Sequence, residues 1–134
     1  GGLVALRVSL VKRECIKVPT DTLVKMAEFV LKNNYFEFNS EAYQQTSGTA
    51  IGTKFAPPYA CIFMDQIESK FLQTQEFKPL VWFRYIDDIF FIWRHGNDIL
   101  KRFMNDFNSF HPNLKFTYDS SKESVVFLDL KVDL

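Results

Sequence analysis

The chain has 134 residues, 47% hydrophobic and 24% charged, and its 16 basic and 16 acidic side chains leave a formal net charge of zero. That balance belongs to an ordinary globular class, and it argues against a self-sufficient nucleic-acid binder, which carries a basic excess; any basic surface must be local or supplied by another segment. No apolar run approaches the ~20 residues of a membrane span.

The length allows one domain with its own core. Phenylalanine, at 15 residues, makes much of that core aromatic. Leu3, Leu6 and Leu10, with Val4, Val8 and Val11 alongside, recur at helical spacing and predict a first helix ending near Cys15. Cys15 and Cys61 lack metal-ligand spacing and read as free thiols in a reducing, intracellular compartment. Pro19, Thr20 and Asp21 open a second helix, with Thr20 or Asp21 as N-cap. Leu23, Met26 or Ala27, Val30 and Leu31 form its apolar face, and Asn33 and Asn34 end it.

"YFEFNSEAYQQ" alternates around Asn39-Ser40 and predicts a β-hairpin. "TSGTAIGTKFAPP" is a loop punctuated by Gly48, Gly52, Pro57 and Pro58. A third helix follows from about Pro58, with Ala60, Phe63, Met64, Ile67 and Phe71 as its stripe. "PLVWFRYIDDIFFIW" predicts two strands joined by a tight turn at Ile86-Asp87, apolar on both faces as in covered central strands. Gly96 and Asn97 break the pattern before a fourth helix that carries Ile99, Leu100, Phe103, Met104, Phe107 and Phe110. "LKFTYD" and "VVFLDLKV" read as strands joined across "SSKES". The chain starts within one predicted element and stops within another, so it is expected to be a piece of a larger polypeptide.

Asp87 and Asp88 are the anomaly. Two neighbouring acids sit in a run of aromatic and β-branched residues that favours burial. A solvated turn is one reading, because Asp bonds the local backbone there. Adjacent like charges nevertheless repel, and a lone Asp or Asp-Gly would serve a plain turn better. A hard divalent cation resolves the conflict: Mg²⁺ accepts carboxylate oxygens and keeps sites for water or phosphate. The loop with Gly48 and Gly52 has two readings as well. It is either a connection whose glycines serve turn geometry, or a main chain that passes close to something flat.

Together these segments resemble the palm of a reverse transcriptase. "YIDD", Tyr85 to Asp88, is similar to that family's Tyr-x-Asp-Asp hairpin. Gln45, Gly48, Gly52, Pro57 and Ala60 match its template loop in order and spacing. The wording "GTAIGTKFAPPYA", "RYIDDIFFIW", "FHPNLKFT" and "FLDLKV" resembles the Penelope-like retroelements. The resemblance implies RNA-directed DNA polymerase chemistry with two Mg²⁺ or Mn²⁺ ions. An RNA template, a DNA primer, a dNTP and the remainder of the reverse transcriptase chain would be the partners. It implies that Asp87 is the principal metal ligand, with Asp88 in support. Tyr85 would lie near primer–template, and Gln45, Gly48, Gly52, Thr53 and Lys54 would touch template and nucleotide. Lys122, in "SSKES", would match a lysine that protonates pyrophosphate.

The chain departs from the family in three ways. A third carboxylate, in an upstream Asp-x-x-Ser-Leu-Tyr strand, is missing. "GLVALRVSL" resembles the helix after that strand, so Arg7 is not its substitute and the strand is expected to lie outside this chain. Ile51 stands where many relatives outside the Penelope-like group have Gln, and Ala56 where they have Ser. Residues 1–134 are therefore expected to form one partial palm and fingers domain of class α+β, without the family's early fingers strands, thumb or appended endonuclease. Its YIDD hairpin and two C-terminal strands would share an antiparallel sheet, with the helices of about 58–75 and 97–110 on one face. Alone, without the third acid, it is expected to be inactive. An inactive retroelement remnant and a palm-derived interaction module without catalysis stay open; telomerase is the next family by its related hairpin.

Overall fold

A computed structural model describes residues 1–50 and 52–133. The chain is α+β, and it divides into two compact units, Gly1–Gln66 and Ile67–Leu134. The boundary falls inside one helix.

The first unit opens with helices α1 (Gly2–Val11) and α2 (Thr20–Lys32), which pack together; Ala5 and Leu6 of the one and Val24 and Ala27 of the other are buried. Helix α1 stops at Val11 and not near Cys15. The Arg13 guanidinium donates to the carbonyls of Leu10, Cys15 and Val18, so the connection is tied by a side chain and does not continue the helical ladder. The N-cap of α2 is Pro19; Thr20 and Asp21 are already helical, and Asp21 complements the helix dipole. Asn33 closes α2, its side chain donating to the Phe29 carbonyl at 2.7 Å.

Strands β1 (Tyr35–Phe38) and β2 (Glu41–Gln44) form the expected hairpin. Asn39 and Ser40 both adopt positive φ, 52° and 62°, the demand of a type I′ turn. Helix α3 (Ala56–Thr74) starts two residues before the predicted Pro58, so Pro57 and Pro58 both lie in its first turn, where no N–H is needed. Near its start, Tyr59 lies against the backbone of Gly2, and partial burial pushes its phenol above the usual tyrosine range.

The second unit holds the aromatic core. Strands β3 (Val81–Tyr85) and β4 (Asp88–Ile92) pair antiparallel, and α4 (Asn97–Phe110) packs with the end of α3 over one face of the hairpin. Phe71, Leu100, Phe103, Met104 and Phe107 are buried there, with Trp82, Ile89 and Phe91 packed against them. Phe71 sits 5.0 Å from Phe103 and 4.7 Å from Phe107 between ring centroids, so the helical stripes read from the sequence do meet.

Three expectations fail in this unit. The hairpin is not covered on both faces: Trp82, Arg84, Ile89 and Phe91 point inward, but Phe83 is 62% and Tyr85 58% exposed. The strands do not make one sheet either. Strands β5 (Ser124–Phe127) and β6 (Leu130–Asp133) form a separate hairpin, and the three hairpins are three two-stranded sheets. Side chains link β4 to β5, with Phe90 5.6 Å from Phe127, but no ladder does. Finally, "LKFTYD" is not a strand. The Asn108 side chain takes the place of a neighbouring strand: it accepts from the Phe116 N–H at 2.6 Å and donates to the Phe116 carbonyl at 2.9 Å. Phe116 then stacks on Phe107 at 4.5 Å. The backbone donor and acceptor of Phe116 are thus both met without a ladder.

Candidate catalytic hairpin and loop

The hairpin resolves the conflict between an apolar run and two acids. Residues alternate across a strand, so the inner face takes the aromatic load while the tip stays in water. Tyr85 pairs with Asp88, which leaves Ile86 and Asp87 as a two-residue turn. Asp87 is the second turn residue and Asp88 the first of β4, and both are exposed. Asp88 shares the outer face with Phe83 and Tyr85. Among the described residues, neither carboxylate forms an ion pair or accepts a hydrogen bond from a side chain.

The turn is strained. Ile86 has φ 54°, whereas Asp87 has no positive φ. Positive φ at the first central position alone is the pattern of a II′ turn, which favours glycine there. A β-branched residue in that region is a genuine outlier. Arg84, two residues before, faces inward. Its Nε donates to Glu68 Oε1 at 2.6 Å, and its Nη1 donates to the Ile86 carbonyl at 3.1 Å. Glu68 lies on α3, and both side chains are nearly buried.

Lys122 lies in the exposed bend two residues before β5, and no hydrogen bond or ion pair joins it to Asp87 or Asp88. The loop residues Gln45, Gly48, Gly52, Thr53 and Lys54 belong to the first unit, whereas Tyr85, Asp87, Asp88 and Lys122 belong to the second. Gln45 extends the β1–β2 hairpin, its N–H donating to the Asn34 carbonyl at 2.9 Å, and its side chain donates to the Ser47 carbonyl at 2.8 Å. Thr53 Oγ1 accepts from the Ala56 N–H at 3.2 Å, so this side chain caps the start of α3. Lys54 is exposed. Gly48 and Gly52 have φ 79° and 99°. A Cβ at Gly52 would meet nothing within 4 Å, so backbone conformation and not a close neighbour in this chain calls for glycine there. Ala56 is buried at the first position of α3, and Ile51 lies outside the described residues.

Two residues of this site were not singled out from the sequence, Arg84 and Glu68. A signal for both exists. Arg84 has the parity of Trp82 and must face the core, and Glu68 is an acid set among Met64, Ile67 and Phe71 on an otherwise apolar stripe. A cation and an anion that each point inward require one another.

Among the described residues, no cluster of three or more His, Cys, Asp or Glu side chains could hold a metal ion. The adjacent acids nonetheless fit part of a magnesium site. Mg²⁺ is commonly held by one or two carboxylates, with water and phosphate oxygens completing its shell. Exposed, unpaired oxygens on a short hairpin are donors of that kind. Among the described residues, no helix is long and apolar enough to cross a membrane. No family model matches the chain, and neither a curated protein nor a solved structure matches it.

Proposed function

We propose that the chain is part of the polymerase core of a reverse transcriptase similar to those of Penelope-like retroelements, comprising portions of its palm and fingers. One observation carries this reading: a strained two-residue turn, backed by a packed aromatic face, presents two adjacent and unpaired carboxylates to solvent.

Asp87 and Asp88 would hold Mg²⁺ or Mn²⁺ together with a third acid from an upstream strand. The bound ions would activate the primer 3′-hydroxyl and stabilise the leaving pyrophosphate. The chain's own contribution is placement. The hairpin holds the two acids on a rigid element. Exposed Tyr85 offers a ring beside them to primer–template. The Gln45–Lys54 loop supplies main chain to template and dNTP, and Lys122 supplies a proton to the pyrophosphate. An interaction module without catalysis is the second reading, favoured by the exposed Tyr35, Phe36 and Phe38 of the first hairpin.

The test is thermal melting of the chain with and without Mn²⁺, for the wild type and for Asp87→Asn/Asp88→Asn. An ion that binds only the folded pair stabilises by RT ln(1 + [L]/Kd), about 1.4 kcal/mol at tenfold saturation. Millimolar Mn²⁺ is expected to raise the wild-type melting temperature and to leave the double variant unmoved. Equal shifts in both would remove the hairpin as a metal site. The chain alone is expected to show no primer extension on an RNA template.

A further inference from the structure

The YIDD turn has an internal control in the same unit. The β5–β6 hairpin is also closed by two residues, Leu128 and Asp129, between the paired Phe127 and Leu130. Leu128 has φ 54°, the value found at Ile86. An aliphatic residue followed by Asp therefore makes the same turn twice. The position equivalent to Arg84, one residue before the last strand pair, is Val126 in the second hairpin, and it is 77% exposed. Among the described residues, the turn thus forms without an inward arginine behind it.

Arg84 is therefore more than the turn needs. Burying an arginine and a glutamate costs desolvation of both charges, and well-packed apolar side chains are often as stable or more so. What the pair adds is geometric. One end of the guanidinium is held by Glu68 on α3 and the other holds the carbonyl between Tyr85 and Asp87. Arginine suits this task because its donors form a rigid planar fork. The free tip of a two-stranded hairpin becomes fixed to a helix of the core.

We propose that Arg84, anchored by Glu68, is a positioning residue that sets the orientation of Asp87 and Asp88 by locking the turn to α3; this rests on the metal-binding role of the two acids. Arg84 touches no reacting atom. It acts on the peptide that precedes Asp87.

The experiment replaces the pair by apolar residues, Glu68→Met with Arg84→Val, so that no lone charge is left buried. Two readouts are taken on the whole chain: ¹⁵N order parameters of the Ile86, Asp87 and Asp88 amides, and Mn²⁺ affinity from water-proton relaxation. The double variant is expected to melt within a few degrees of the wild type. Its tip amides should fall from about 0.85 to below about 0.6, and Mn²⁺ affinity should drop about 10-fold, as when supporting groups of a metal site are removed. Glu68→Gln keeps an oxygen for Arg84 Nε and should retain both properties. Should the double variant fail to fold, Arg84→Lys keeps the charge, loses the fork and gives the same two readouts. Unchanged tip order and unchanged affinity would overturn the proposal. If wild-type Mn²⁺ binding is insensitive to Asp87→Asn/Asp88→Asn, the polymerase reading fails, while the order parameters still decide whether Arg84 locks the turn.

Discussion

At Gly52 the two readings of the loop come apart. Its φ of 99° is closed to most L-residues, and the space around it is open. Substitution should therefore act through the backbone and not through a clash. Gly52→Val is expected to lower stability by about 1–3 kcal/mol, the cost of a non-glycine residue in such a region. Gly52→Asn should cost less than half as much, because Asn tolerates positive φ better. Urea denaturation of both variants checks this. Equal losses would mean that side-chain bulk, and hence an unseen neighbour, sets the requirement. The need for glycine was legible in the sequence, but its cause was not. A glycine demanded by φ and one demanded by a passing strand look alike on paper. Asp87 and Asp88 were legible for the opposite reason: an acid pair contradicts its surroundings, and contradiction is visible in one dimension. Arg84 and Glu68 stayed hidden because each, taken singly, passes for an ordinary surface charge. Only strand parity and helix stripe together turn them inward.

At the scale of elements, the periodic segments were the readable ones. Helices α2 and α4 show a strong apolar face, and β3–β4 and β1–β2 show turn chemistry at the expected residues. "LKFTYD" has the pattern of a strand but is not one, because Asn108, lying in the preceding helix, bonds the Phe116 backbone as a neighbouring strand would; no local pattern announces that. "VVFLDLKV" reads as one strand but holds a whole hairpin, β5 and β6, because an aliphatic-Asp turn carries no glycine to mark it. Those two turns make a paired prediction. Ile86→Gly and Leu128→Gly each remove a left-handed L-residue worth about 1–2 kcal/mol of strain, against roughly 0.5–1 kcal/mol of added unfolded-state entropy. Each should stabilise by about 0.5–1 kcal/mol in urea denaturation, with both side chains already half exposed. Loss of stability at Ile86 alone would show that its side chain, and not only its carbonyl, is held in place.

At the scale of the molecule, burial is unevenly shared. In the first unit the buried apolar side chains among the described residues are Ala5, Leu6, Val24, Ala27 and Ala56, three of them alanines. In the second they are Phe71, Leu100, Phe103, Met104 and Phe107. Apolar burial stabilises in proportion to area, about 25 cal/mol per Å², so five large side chains outweigh one leucine, one valine and three alanines several-fold. The first unit also leaves Val4, Val8 and Val11 of α1 and Met26 and Phe29 of α2 exposed. Its β1–β2 hairpin is exposed along all eight strand residues, and a lone two-stranded hairpin is marginal in water. Stability should therefore differ between the units, and unfolding should not be a single transition. Hydrogen exchange followed by mass spectrometry is expected to show opening free energies for α1, α2 and the first hairpin that lie about 2 kcal/mol or more below those of α4 and β3–β4, a factor of about 30 in protection. Adding Mn²⁺ should slow exchange around Ile86–Asp88 and leave Gly1–Gln66 untouched, because the proposed ligands Asp87 and Asp88 both lie in the second unit. Uniform protection across both units would mean that the aromatic core stabilises the whole chain as one body, and the ranking of the units by buried side chains would fall.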